Sequence, residues 1–364
     1  MRTIRSLTTG GCRLLALAVL VVALSQAVAW DATAQSDVRP PEGAVGGAVP
    51  GNAQGSTSDS EMWRAVRQGV QGQVSIPDKQ AGILVQSDGD ALRAFRNGPM
   101  SEVGGWALLA VFVLLGIFYA LRGRIRIDSG MSGRTVLRFN FLERFAHWLT
   151  AGSFIILGLT GLNILYGRYV IKPVIGADAF ASVTLAGKYA HNFLGFAFGL
   201  GVLLMLVLWI KDNIPNKHDL KWIALGGGLF SKGVHPPAKK FNAGQKLIFW
   251  SVIILGGSLT TTGLALLFPF EIALFAGTFK FMNIFGFELP TTLTMMQETQ
   301  LALAWHGVVA LVMMVVIVAH IYIGSVGMEG AFDAMGTGEV DENWAHEHHA
   351  LWLEEEQRRT QAAE

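Results

Sequence analysis

Five long stretches of the chain contain no Asp, Glu, Lys or Arg: residues 103–121, 148–167, 189–210, 247–270 and 299–328. Each is near or beyond the roughly 20 residues that a helix needs to cross a bilayer. The last is long enough to span with tilt or to extend past the hydrocarbon. The pattern predicts an all-α integral membrane protein with five spanning helices.

The polar segments between these runs set an orientation. Residues 122–146 hold Arg122, Arg124, Arg126, Arg134, Arg138 and Arg144, and residues 211–246 hold Lys211, Lys217, Lys221, Lys232, Lys239, Lys240 and Lys246. The opposite loops are poor, with Arg168, Lys172 and Lys188 in one and Lys280 in the other. The positive-inside rule makes the two rich loops and the tail at 331–364 cytoplasmic, and the N-terminal arm extracytoplasmic.

Ahead of the first run, residues 1–34 combine a basic start, a short apolar core and small residues near Ala29 and Ala34, the pattern of a cleaved secretory signal. That agrees with the orientation. Residues 35–60 have the composition of a disordered linker, and the remainder of the arm to 102 holds a short helical possibility around EMWRAVRQGV. The single cysteine, Cys12, lies before the apolar core. A mature chain without it has no disulfide, no iron–sulfur ligation and no covalent c-type haem. Composition agrees with a membrane protein: 51% hydrophobic and 15% charged, with a net charge of +1 that offers nothing to nucleic acid.

Four of the nine histidines lie in or at the rim of the apolar runs: His147, His191, His306 and His320. His306 and His320 fall on one run, close to a whole number of helical turns apart. At about 100° per residue they share one helix face, separated by about 21 Å along the axis. His147 enters the second run from the cytoplasmic side and His191 enters the third from the other. Depth therefore pairs His147 with His320 and His191 with His306. Two facing imidazole pairs suit two six-coordinate b-type haems, which carry electrons and bind no oxygen. A haem-free proton relay or transporter is the competing reading. The pattern favours haem over zinc, because pairs about 21 Å apart build no four-ligand site.

Glycines and an arginine join these candidates. Gly195 lies one turn from His191, and Gly199 continues that face. Gly161 follows His147 at the same spacing as His320 follows His306. They are read as clearance for a flat ring, against ordinary small-residue helix packing. Arg144, one turn before His147, suits a haem propionate or serves only as a topology-setting charge. The tail motif HEHH (346–349) is read as part of a solvated helix.

Several stretches together carry a resemblance: RFAHW (144–148), YAHNFLGF (189–196), DNIPNKHDLKW (212–222), KKFNAGQKLIFW (239–250), AWHG (304–307), AHIYIG (319–324) and ENWAHEHHALW (342–352). Over residues 135–355 the chain resembles the gamma subunit of membrane-bound formate dehydrogenase, a four-helix di-haem cytochrome b. The histidines alone are shared more widely, for instance with the cytochrome b of nickel–iron hydrogenase. The run at 103–121 is an addition to the four-helix pattern, which occupies residues 122–330.

The resemblance implies that His147, His191, His306 and His320 ligate two haems b. It implies an iron–sulfur beta subunit and a molybdenum- or tungsten-pterin alpha subunit as partners. It also implies a membrane quinone as acceptor, bound near Asn242, Gly244, Gln245 and His320. For Asn242, helix capping is the alternative role.

Overall fold

The computed structural model describes residues 87–231 and 233–363. The expected signal segment and the arm as far as residue 86 lie outside them. Helix α1 (Ser87–Phe95) belongs to a first unit that ends at Phe95, and all that follows belongs to a second, Arg96–Glu364.

Among the described residues, five helices are long and apolar enough to cross a membrane. In the second unit they are α2 (Ser101–Arg122), α3 (Phe141–Val170), α4 (Ala177–Trp209), α6 (Ala243–Leu267) and α8 (Met295–Tyr322). Short helices α5 (Lys217–Ala224) and α7 (Phe275–Asn283) lie in the connections, and α9 (Glu342–Ala363) forms the tail. The five spans and their order match the uncharged runs. Several helices extend past those runs; α4, for example, begins at Ala177, well ahead of the predicted start at Tyr189. His191 consequently lies deep within its helix, not at its entry.

Four helices start with the same local device. Asn140 with Glu143, Asn216 with Asp219, Asn242 with Gln245 and Thr294 with Gln297 each form a reciprocal capping box. The cap side chain takes an N–H of the first turn, three residues on at Asn140, Asn242 and Thr294 and at His218 for Asn216, and the side chain three residues on takes the cap's own N–H. At α7 the cap comes from afar: the buried Glu298 carboxylate accepts from Leu274 N, Phe275 N and Ala276 N at 2.9, 2.7 and 2.7 Å.

Close packing runs from α3 to α4, α4 to α6 and α6 to α8, with α2 laid on α8. Small residues allow these approaches. A Cβ at Gly201 would stand 3.0 Å from the Thr150 backbone nitrogen, and one at Gly199 would stand 2.8 Å from Thr260 Cγ2. Gly199 is thus a helix-packing glycine, contrary to its expected place along a cofactor. α2 buries less of its length than α4, α6 and α8 and is peripheral to the bundle. Neither α3 nor α4 is among the helices closely packed on α8.

The loops rich in Lys and Arg fold with the tail into an ordered cap. β1 (Thr135–Leu137) pairs antiparallel with β2 (Glu339–Asp341), a small ribbon that an all-α pattern does not announce. Arg138, expected to be a surface topology charge, is 4% exposed. Its guanidinium lies 4.9 Å from the Trp344 ring, 5.1 Å from Phe139 and 5.8 Å from Trp352. Its Nη2 donates to Lys240 O at 2.7 Å and meets His349 Nε2 at 2.9 Å. Planar guanidinium can stack and donate at once, which is what makes its burial tolerable. The solvated reading of the tail is therefore wrong. Trp344, Ala345, Glu347, His349, Trp352 and Leu353 are buried, and Glu347 accepts from Asp128 N and Ser129 N at 2.9 and 2.8 Å.

The docked tail should be acid-sensitive. Burial pushes His348 down to about 4, with Glu347 opposing and His235 and Arg138 adding to the fall. Burial and then Arg138 hold His349 well below its ordinary value. Both are neutral when docked, whereas a released tail takes up protons near pH 6.5. Docking stability is therefore complete above about pH 6.5 and is lost as pH falls toward about 4. Limited proteolysis of the tail across this window should show protection at neutral pH and cleavage in acid. Equal protection at both ends contradicts the assignment.

Candidate haem-binding sites

The folded bundle brings the four membrane histidines together in two pairs. His147 on α3 faces His320 on α8, with ring centroids 6.2 Å apart. His191 on α4 faces His306 on α8, also at 6.2 Å. The first pair adjoins the cap and is called the cap-side pair; the second lies toward the other end of α8 and is the far-side pair. Depth matching along the sequence predicts the same pairs.

The spacing suits a metal between the rings. Two metal–imidazole bonds of about 2 Å, plus about 1 Å from each nitrogen to its ring centre, sum to about 6 Å. Hydrogen-bonded imidazoles without an intervening atom would sit closer. Around these pairs α8 is not closely packed on either α3 or α4. A planar tetrapyrrole fits this arrangement, and the donor set, two neutral imidazoles per site, is that of a low-spin b haem.

The far-side pair is supported by two threonines that sequence reasoning did not single out. Thr160 Oγ1 lies 2.8 Å from His191 Nδ1, and Thr262 Oγ1 lies 2.9 Å from His306 Nδ1. Each threonine is followed by a glycine against the same ring: a Cβ at Gly161 would be 3.8 Å from His191 Cε1, and one at Gly263 3.5 Å from His306 Cε1. The signal was available, since Thr-Gly-Leu occurs at 160–162 and again at 262–264. On the cap side, His147 Nδ1 is buried without a hydrogen-bond partner.

The remaining candidates are placed as follows. A Cβ at Gly195 would meet nothing within 4 Å, so open space adjoins it. Arg144 Nη1 donates to Gly336 O at 2.7 Å, while its Nε is buried without a partner. Asn242 Oδ1 accepts from Gln245 N at 2.9 Å, and Gln245 Oε1 accepts from Asn242 N at 3.1 Å, so both residues cap α6. Arg138 Nη2 lies 3.4 Å from the same Oε1, tying this cap to the tail. Gly244 leaves room for the Trp222 ring, which a Cβ would meet at 2.7 Å.

The chain is similar to the nitrate-inducible formate dehydrogenase cytochrome b556(Fdn) subunit of Escherichia coli K12, 26% identical over 61% of this chain and 92% of that one. It is similar to the cytochrome b556(fdo) subunit of formate dehydrogenase from the same strain, 26% identical over 62% and 96%. The formate dehydrogenase cytochrome b556 subunit of Haemophilus influenzae is 23% identical over 61% and 83%. Residues 138–338, more than half the chain, match the family described as prokaryotic cytochrome b561. That stretch contains α3, α4, α6 and α8 with all four paired histidines, and leaves α2 and α9 outside. The chain belongs to the prokaryotic cytochrome b561 family, whose members are helical membrane cytochromes b.

Proposed function

We propose that this chain is the di-haem cytochrome b subunit of a formate dehydrogenase, passing electrons from an iron–sulfur subunit to a membrane quinone. The observation that carries the reading is the pair of equal imidazole gaps, 6.2 Å each, at two depths of one bundle. The named relatives supply the partner: each is a formate dehydrogenase cytochrome b subunit. In this reading the beta subunit carries the iron–sulfur clusters and the alpha subunit a molybdenum or tungsten pterin. The far side faces the periplasm with the N-terminal arm, and the cap faces the cytoplasm.

A haem b held between two imidazoles exchanges one electron at iron and leaves no position open to oxygen. The chain's residues do the rest. His191 and His306 hold the entry haem, and His147 and His320 hold the exit haem. Gly161 and Gly195 keep the far-side slot flat. Arg144 Nε is the donor left for a propionate. Quinone binds beside His320 and the start of α6. Capping uses one lone pair of Asn242 Oδ1, and Asn242 Nδ2 and Gln245 Nε2 have no hydrogen bond among the described residues. Those donors suit a quinone oxygen.

Formate added to the purified complex should reduce b-type bands, which quinone then reoxidises. Reduction by hydrogen and not by formate would sink the substrate assignment. Asn242→Ala should keep both haems and their reduction by formate, but slow reoxidation by quinone; an unchanged reoxidation rate counts against that site.

Gly161 gives a steric prediction. At 3.8 Å a methyl group fits, so Gly161→Ala should be mild. A leucine must enter the ring's space, and overpacking costs about 1–3 kcal/mol. Gly161→Leu should lower the far-side haem while the cap-side haem stays. An unchanged ratio of the two signals contradicts it.

A further inference from the structure

We propose that Thr160 and Thr262 direct electron flow toward the cap by strengthening the far-side imidazoles as donors, an inference that rests on the di-haem reading above. Each hydroxyl has a single hydrogen to give. Thr160 Oγ1 lies 2.8 Å from Ile156 O and 3.0 Å from Leu157 O. Thr262 Oγ1 lies 2.8 Å from Ser258 O and 3.3 Å from Leu259 O. Carbonyl oxygens only accept, so the hydroxyl hydrogens go to the helix backbone, as threonine in a helix commonly does. The oxygen then turns a lone pair to the histidine. His191 Nδ1 and His306 Nδ1 must be the donors, which fixes Nε2 as the free lone pair on each ring.

Thr160 reaches His191 from α3, and Thr262 reaches His306 from α6. Back-bonding alone explains neither meeting, because it requires no imidazole at all. A hydrogen bond from the second nitrogen orients a ligating imidazole and raises its basicity. A more basic ligand favours ferric iron and lowers the potential, and hydrogen bonding around the ligand is one of the protein's means of setting it. The cap-side pair lacks this support. His147 Nδ1 has no partner, and no hydrogen bond to the His320 ring is found among the described residues. The far-side centre therefore lies at lower potential than the cap-side centre. With both haems bound, each electron passed would oxidise one ferrous far-side iron and reduce one ferric cap-side iron. Formate oxidation in the partner supplies the electron, and quinone removes it.

The test is a potentiometric titration of the purified complex, following the b bands in wild type, Thr262→Val, Thr160→Val and Thr262→Ser. Valine keeps the shape and removes the hydroxyl. The far-side midpoint should rise in both valine variants, changing electron partition between the haems by about tenfold in Thr262→Val, which is 59 mV for a one-electron couple. Thr160→Val should shift it in the same direction, because Thr160 Oγ1 stands to His191 Nδ1 as Thr262 Oγ1 does to His306 Nδ1, at 2.8 and 2.9 Å. The cap-side midpoint should stay, and Thr262→Ser should keep the wild-type value. Selective loss of the far-side haem in Thr262→Val with retention in Thr262→Ser also supports the hydroxyl's role. Unmoved midpoints at full haem content, both midpoints moving together, or a serine variant that behaves like valine overturns it. A wild-type complex without two b components fails the di-haem reading itself; two components with unmoved midpoints fail the threonines alone.

Discussion

Replacing His191 or His306 with alanine should remove one haem and leave the other in place, and replacing His147 or His320 should do the reverse. The expectation follows from which rings face each other, 6.2 Å apart in both pairs, on three different helices. Alanine deletes one of the two imidazoles that would hold the haem and leaves the other without its counterpart. Even residues that only support a ligand through a hydrogen bond alter metal affinity by about 10–100-fold, and a ligand itself should matter more. Redox titration of membranes would follow the two components separately. His306→Ala and His320→Ala are the informative contrast, because both lie on α8 and share its packing. Their losses should fall on different components. If His147→Ala and His191→Ala removed the same one, the pairing would be wrong.

The largest effect outside the bundle should come from Arg138→Ala. The substitution opens a cavity among Phe139, Trp344 and Trp352, and leaves Lys240 O and His349 Nε2 without their donor. An unpaired buried acceptor costs about 1–3 kcal/mol, and a deleted buried side chain adds a cavity cost of similar size. A loss of about 3–5 kcal/mol in cap stability is expected. Burial lowers the Arg138 pKa to about 9, partly offset by Glu143, so the side chain stays charged at neutral pH. Lysine cannot stack its charge or fork its donors in the same way, so Arg138→Lys should rescue little. Hydrogen exchange in β1, β2 and α9 would report the change, and exchange rates like those of wild type would contradict the central place given to Arg138.

The membrane helices were legible because hydropathy and charge depend on composition alone. Their true starts were less so. Residues 177–188 contain Asp178 and Lys188 yet remain helical, because helix propensity does not stop where the apolar run does. The pairing of histidines was readable from the spacing of His306 and His320 on one helix and from the loop charges. The tail was misread because HEHH and Glu354–Glu356 look solvated, while the burying positions, Trp344, Ala345, Trp352 and Leu353, are spread through them. Arg138 was hidden among six loop arginines that differ only in what folds over them. Thr160 and Thr262 were missed because a threonine in a membrane helix ordinarily bonds its own backbone, and the imidazole comes from another helix.

Haem stoichiometry with spin state is the most direct test of the central claim. Purified chain should contain two non-covalent b haems per polypeptide, both six-coordinate and low-spin in electron paramagnetic resonance. One haem, none, or a high-spin signal at full occupancy would contradict the assignment of His147, His191, His306 and His320 as two ligand pairs.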